Sequence, residues 1–520
     1  MGRNQQVVTS AEAVPWPRWV IGLMIGSWSL RLLIAWLLPP GFDEAYYFLY
    51  TQHWDWSYFD HPVMVALTTA VGPWLTGHIS PFTLRLGALA LYSLSTGLLY
   101  LIGRRLFSST VGMWAAAIAS LCPLFIFSFG LLAAPDNGLI FWWSLTIYVA
   151  VLEFFPMGKP YRPTAKIALI GFLLGLVCLS KYHGFVLGLS LVGFCLTSAK
   201  HRRALMSPWI VASFVLFALT LAPLLYWNTQ HDWLSFGFHL STRFDSGSDS
   251  SFSVLNVVGV WLVDVAYLFP PLGFPLWWVS FHSLWRLDDL RRRFILWLGL
   301  PIALGFTLLG GFTQIYPAWP APGLWSLSLL LAVAMAGWTP RAVYRWLMGS
   351  AFAIAALLLF ALSHVAFGTL QQPGGLMALM PPETDPTTTL IDVVQLRQRL
   401  RDSITGDAIA TADFLVTDEF WLSGYVDMAV SPLAVAPVMA FSQDPRGHAV
   451  WFTPEDWLGY SGLFLSIADD DQSEIRATYA PYFERFDLLE SIETKRAGAT
   501  TETFYVYDVG QLILPYQYPY

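Results

Sequence analysis

Along the first 367 positions, apolar residues come in long runs broken only by short connections that gather most of the charged and turn-forming residues. Runs near 20 residues predict helices that cross a bilayer, whose hydrocarbon core is about 30 Å thick. Eleven spans are expected, at about 19–38, 81–102, 109–131, 138–154, 166–180, 184–198, 208–227, 254–281, 294–311, 319–338 and 346–367. Those at 166–180 and 184–198 are short for the task. Between the first two spans, 61–77 is apolar but broken by Gly72-Pro73. With the aromatic stretch Tyr46 to Trp56 it predicts helices lying at the membrane interface, where Trp and Tyr prefer to sit.

The polar connections sort into two sets. One carries Arg18, Arg104-Arg105, Lys159 with Arg162 and Lys166, Lys200 with Arg202-Arg203, Arg286 with Arg291 to Arg293, and Arg341 with Arg345. These occupy alternate connections, so the positive-inside rule places them and the amino terminus in the cytoplasm. The other set then faces outward and carries Asp43-Glu44, Asp60-His61, Asp136, Lys181-Tyr182-His183, 228–251 and 314–320.

Beyond position 370 the pattern changes. Short β-rich runs at 413–417, 462–467 and 503–507 alternate with helix-like stretches near 390–402, 418–429 and 472–485, which predicts a small α/β domain. From 368 onward there are 8 Lys and Arg against 22 Asp and Glu, leaving 20 against 13 for the membrane part, so the domain is acidic. The expected organisation is a helical membrane domain over 1–370, a Pro-rich linker over 371–389 and an extracytoplasmic domain over 390–520.

Composition agrees with this reading: 56% of the 520 residues are hydrophobic and 12% charged, about half the charge of a soluble domain. The first span is too long for the core of a secretory signal peptide, and a retained helix is expected. Arg31 interrupts it and needs a partner inside the bundle or a path to an interface. Cys122, Cys178 and Cys195 lie inside apolar runs without metal-ligand spacing, as packed core residues would.

The chemistry is expected where charge is costly. Asp43-Glu44 directly follows an apolar run and opens a segment with four more ionisable or imidazole side chains within 18 residues. Asp136, after Pro135, is explained as well by helix capping as by function. Lys181 divides the two short spans and sits on the side where the positive-inside rule predicts depletion, as do Arg85 and Arg243. If the spans pack together, carboxylates are expected beside Lys181, Arg85, Arg243 and His61, one group suited to handling protons and the other to holding a phosphate. Trp54, Trp56, Tyr58, Tyr316 and Trp319 suit packing on a sugar or an interfacial belt equally.

Five stretches, FDEAYYFLYTQHWDWSYFDHP, APDN at 134–137, LSKYHG at 179–184, WNTQHDWLSFGFHLSTRF at 227–244 and YPAWPAP at 316–322, resemble bacterial protein O-mannosyltransferase-like glycosyltransferases. These are GT-C enzymes that use polyprenyl-phosphate-linked sugars, with the lipid A aminoarabinose transferases as a more distant branch. The resemblance implies Asp43 as catalytic base. It implies Glu44, Asp136 and, approximately, Tyr316 near acceptor or sugar, and Lys181, Arg243 and Arg85 on the lipid phosphate. His61 stands where the aminoarabinose branch has a lysine, so its charge depends on pH.

The expectation is an inverting glycosyltransferase of the cytoplasmic membrane acting at its outer face. It would take a polyprenyl-phosphate sugar and a lipid, glycan or protein hydroxyl; nucleic acid is not an expected partner. Whether Asp43 or Glu44 takes the proton stays open. So do the sugar, the polyprenyl type and a divalent cation, which two adjacent carboxylates are able to hold although no further ligand set is visible. The rivals are a transporter or flippase of the lipid-linked sugar, which usually shows paired repeats absent here, and a catalytically silent assembly partner.

Overall fold

The computed structural model describes residues 16–239, 251–371, 379–381, 384–467 and 472–520. Among the described residues, six helices are long and apolar enough to cross a membrane: Arg18–Leu37, Pro81–Leu106, Pro135–Phe154, Pro208–Gln230, Leu290–Leu309 and Pro340–Phe367. The pair Ser109–Leu121 and Pro123–Gly130, bent by 78°, makes a seventh if taken as one span. Three other expected spans are helical but shorter, Lys166–Ser180, Gly184–Thr197 and Ala321–Met335, whereas 254–281 is two helices, Val254–Tyr267 and Pro270–Ser283, parted ahead of Pro270. Fifteen helical residues reach only about 22 Å, so length alone does not make these crossings. The chain is a multi-pass membrane protein.

Proline sets several of these boundaries, because it lacks the N–H that a helix interior needs but fits the first turn. Pro123 breaks the bent pair, and the carbonyls freed just before it are taken by side chains of other helices. The Tyr92 hydroxyl donates to Ala119 O at 2.6 Å and the Ser27 hydroxyl to Ser120 O. Arg31 finds its partner here, its guanidinium 4.8 Å from the centre of the Tyr92 ring.

Helices span Phe42–Tyr50 and Met64–Thr76 in the segment where interfacial helices are expected. Toward the carboxy terminus the described residues form one five-stranded sheet, built from β1 (Phe414–Thr417), β2 (Val438–Ala440), β3 (Ser461–Ser466), β4 (Asp487–Arg496) and β5 (Ala499–Gln511). Its order is β2-β1-β3-β5-β4, with β1 parallel to both neighbours and β5 antiparallel to β3 and β4. β2 and β4 were not expected. β2 is three residues long, and β4 is an edge strand whose sequence DLLESIETKR carries five charges.

This sheet is not tethered at a distance from the helices. Leu415, Leu463, Leu465 and Val506 on one face share a core with the helices Val393–Arg401 and Phe420–Val430 and with Ala45, Phe48, Leu84 and Ala133. At Gly424 the backbones nearly touch, since a Cβ there would lie 2.2 Å from Ala45 O. Tyr425 donates to Pro40 O at 2.9 Å, and Arg397 to Ile79 O at 2.9 Å. The short helix Phe42–Tyr50 is thereby sandwiched between the bundle and the sheet.

Asp427, in the helix at this junction, is buried, and burial pushes its carboxyl up to about 6 against the lowering effect of the Ser431 hydroxyl. Its charged form is disfavoured in the fold, so the penalty is absent below the ordinary carboxylate range and grows as pH rises through 6. Asp427→Asn is therefore expected to stabilise the protein at pH 7.5, by up to about 3 kcal/mol, and to change nothing at pH 4. Thermal unfolding of the detergent-solubilised protein at the two pH values checks this.

Candidate active site

The helix Phe42–Tyr50 begins at Gly41, with Asp43 and Glu44 in its first turn, where the exposed N–H groups favour negative charge. Adjacent residues on a helix point about 100° apart, and these two carboxylates meet different surroundings. Glu44 is buried and Asp43 is exposed.

Glu44 is fully engaged. Oε1 accepts from Arg85 Nε at 2.8 Å and from Ala133 N at 2.9 Å. Oε2 accepts from Arg85 Nη2 at 2.6 Å and from Gly41 N at 3.0 Å. Arg85 has no exposed surface, and its other donors go to Ala35 O, Leu38 O and Pro39 O at 3.1, 2.6 and 2.9 Å. Five N–H groups meet five acceptors. Neither retains a free bonding position in this arrangement, so the expected contacts of Glu44 with the acceptor and of Arg85 with a phosphate would require the pair to open.

The second ion pair is Lys181 with Asp136. Lys181 lies between the helices Lys166–Ser180 and Gly184–Thr197 in extended backbone. Gly184 permits the tight return, since a Cβ there would meet Cys178 N at 2.7 Å. Asp136 stands in the first turn of Pro135–Phe154. Lys181 Nζ lies 2.9 and 3.0 Å from the two Asp136 oxygens, and both residues are buried. An ammonium has three donors, so bonds to the two oxygens leave capacity for a third acceptor.

Tyr47 joins these groups. Its phenol is pushed well above its usual range, first by burial and then by the carboxylates of Asp43, Asp60 and Asp136, with Arg446 acting oppositely. The charges of three acidic residues, one on the same helix and two from elsewhere, thus act on one ring. His61, buried, packs against Tyr47 with ring centres 5.5 Å apart and faces His239 at 6.0 Å. His239 contacts the Tyr182 ring at 5.0 Å and donates through Nε2 to Asp60 O at 2.7 Å. The geometry thus combines an exposed carboxylate, a buried lysine–aspartate pair and two imidazoles around Tyr47.

Arg243 lies outside the described residues. Tyr316 is exposed and packs on Trp319 with ring centres 5.7 Å apart, with no contact to the Tyr47 group among the described residues. Tyr58 is not available to a sugar, because it is buried in a stack on Tyr50 at 3.8 Å, whereas Trp54 and Trp56 are exposed. No group of three or more His, Cys, Asp or Glu suited to a metal occurs among the described residues. Sequence reasoning missed Tyr47, His239 and Arg446. His239 lies inside the recognised stretch 227–244, whereas nothing in the sequence around Arg446 links it to position 60.

The helical bundle with its appended sheet is similar in fold to solved structures of ArnT. Residues 60–227 match the model of the dolichyl-phosphate-mannose-protein mannosyltransferase family, in agreement with the motif resemblance. Lipid A galacturonosyltransferase RgtD of Rhizobium johnstonii is 24% identical over 291 residues, 53% of this chain and 56% of that protein. The match thus spans little more than half the length of that relative. The crystal structure of ArnT from Cupriavidus metallidurans in the apo state superposes with a TM-score of 0.60 at 15% identity, covering 94% of this chain and 97% of that one. The same protein bound to undecaprenyl phosphate gives 0.58 at 15% identity, with 94% and 98% covered.

The Glu44–Arg85 pair generates a stability prediction. Arg85→Met should lower stability by about 3–5 kcal/mol, because it strands a buried carboxylate, and Glu44→Leu added to it should recover part of the loss. Thermal unfolding midpoints of the single and double variants check it.

Proposed function

We propose that this chain is an inverting glycosyltransferase that moves a sugar from a polyprenyl-phosphate donor to a hydroxyl acceptor at the outer face of the cytoplasmic membrane. The observation that carries the proposal is the division of labour around Tyr47: Asp43 exposed, Glu44 locked on Arg85, and Lys181 held by Asp136 with one donor to spare. The names of the relatives support the same chemistry, one being a lipid A galacturonosyltransferase and another an ArnT structure that holds undecaprenyl phosphate.

In this reading the acceptor hydroxyl attacks the anomeric carbon from the face opposite the phosphate. The new C–O bond forms as the bond from carbon to phosphate oxygen breaks, which inverts the configuration. The hydroxyl proton passes to Asp43, whose exposure lets it return that proton to water. The electron pair leaves with polyprenyl phosphate, whose charge is met by Lys181, His61 and, from beyond the described residues, Arg243. A phosphate is a good leaving group, so no second acid is required. Asp136 orients Lys181 and remains a neighbour of the sugar, while Tyr316 keeps only its approximate assignment near acceptor or sugar.

The membrane part over 1–370, the linker over 371–389 and the domain over 390–520 retain their expected roles in this proposal. The amino terminus is cytoplasmic and the sheet-bearing domain faces outward, against the site.

Asp43→Asn should lower transfer by about 10²- to 10⁴-fold, the usual contribution of a general base, without changing the unfolding midpoint. Purified protein, radiolabelled polyprenyl-phosphate sugars (galacturonic acid and aminoarabinose first) and an outer-envelope glycolipid acceptor provide the assay. Near-normal transfer by this variant would remove Asp43 as the base. Counterflow of lipid-linked sugar across vesicles without any transfer product would favour a transporter instead.

A further inference from the structure

Arg446 lies outside every motif that the proposed reaction uses, yet it reaches the segment that carries His61. Its Nη1 donates to Asp60 Oδ2 at 3.0 Å, and the Tyr50 hydroxyl donates to Asp60 Oδ1. The Asp60 carbonyl is held by His239. Every polar atom of Asp60 that accepts is therefore fixed, and His61 is the next residue. The Arg446 guanidinium also sits 4.0 Å from the centre of the Phe420 ring, which restricts its swing.

Docking of the sheet-bearing part on the bundle does not need this ion pair. Gly424 on Ala45, Tyr425 on Pro40 and Arg397 on Ile79 already hold the two together. The backbone at Arg446 has φ of +46°, a left-handed conformation unusual for a residue with a side chain. Such conformations persist where the surroundings over-determine them and gather at functional sites. Here the following Gly447 N–H is pinned to the Tyr46 hydroxyl at 3.1 Å.

We propose that Arg446 is a positioning residue for the lipid-phosphate side of the site: through its ion pair with Asp60 it fixes the Asp60–His61 corner, so that the His61 and His239 imidazoles meet the phosphate of a polyprenyl phosphate. This rests on the proposed function. The sheet-bearing domain then completes the donor site from outside, and its removal or displacement weakens the hold on phosphate rather than on the lipid chain. Lysine at 446 keeps the charge but lacks the planar two-pronged geometry of arginine and should restore part of the effect.

The test compares binding of undecaprenyl phosphate with that of undecaprenol, the same chain without phosphate, by full-length protein in nanodiscs. Wild type should prefer the phosphate. Arg446→Met should weaken undecaprenyl phosphate about ten-fold and leave undecaprenol unchanged, Arg446→Lys should fall between, and Asp60→Asn should make the Arg446→Met effect vanish. Equal preference for phosphate in wild type and both Arg446 variants, or an equal loss for both lipids, overturns the inference. If Arg446→Met does not fold, Arg446→Lys decides by the same comparison, with wild-type preference counting against the inference. A wild type that does not discriminate the two lipids would instead sink the proposed donor class.

Discussion

The buried ion pair between Glu44 and Arg85 is the constraint on which the rest of the site depends. Removing two charges from water costs several kcal/mol per ion, and their attraction offsets this only when the remaining bonding positions are also filled. Here they are: Arg85 ties the carbonyls that end the first helix to the acid that begins the next, and Glu44 adds Ala133 N from a third segment. Three segments distant in sequence are drawn to one point. The adjacent Asp43 is left outside the clamp, on an anchored helix, with a carboxylate that meets solvent.

The same short helix is pressed from its other side by the sheet-bearing part of the chain. Backbone contact at Gly424 and the aromatic group formed by Phe42, Trp421 and Tyr425 hold it there, with Phe42 and Trp421 ring centres 4.7 Å apart. A helix of nine residues is too short to be stable alone in water. Its rigidity is tertiary, and so is the direction in which Asp43 points. The acidic carboxy-terminal part is accordingly a wall of the site, which explains why its core is shared with Ala45 and Phe48.

Much of the membrane part was legible in the sequence, because every expected span falls on helical chain, although 109–131 and 254–281 are each two helices, parted at Pro123 and Pro270 inside the apolar runs. The number of crossings was less so, since Lys166–Ser180 and its neighbours are too short to be judged by length. Asp43-Glu44 stood out in the sequence, but not the different surroundings of the two carboxylates, one exposed and one buried about a hundred degrees apart on one helix turn. Arg85 had the outward cation's signature and proved to be an internal tie, because the sequence does not show that its partner lies 41 residues back. Asp136 and Lys181 were separately visible, whereas their bidentate contact was not. Arg446 lies 386 residues from Asp60, and no local pattern joins them. β4 was hidden by its charges, which an edge strand tolerates and a buried one would not.

In the proposed mechanism Asp43 does the chemistry while Glu44 holds the fold. A cryo-electron microscopy structure with a non-hydrolysable polyprenyl-phosphate sugar and an acceptor glycolipid tests it most directly. The account predicts the Asp43 carboxylate within hydrogen-bond reach of the acceptor hydroxyl, Glu44 still on Arg85, and the donor phosphate on Lys181. A Glu44 released from Arg85 and directed at the acceptor, with Asp43 remote from it, would contradict the account.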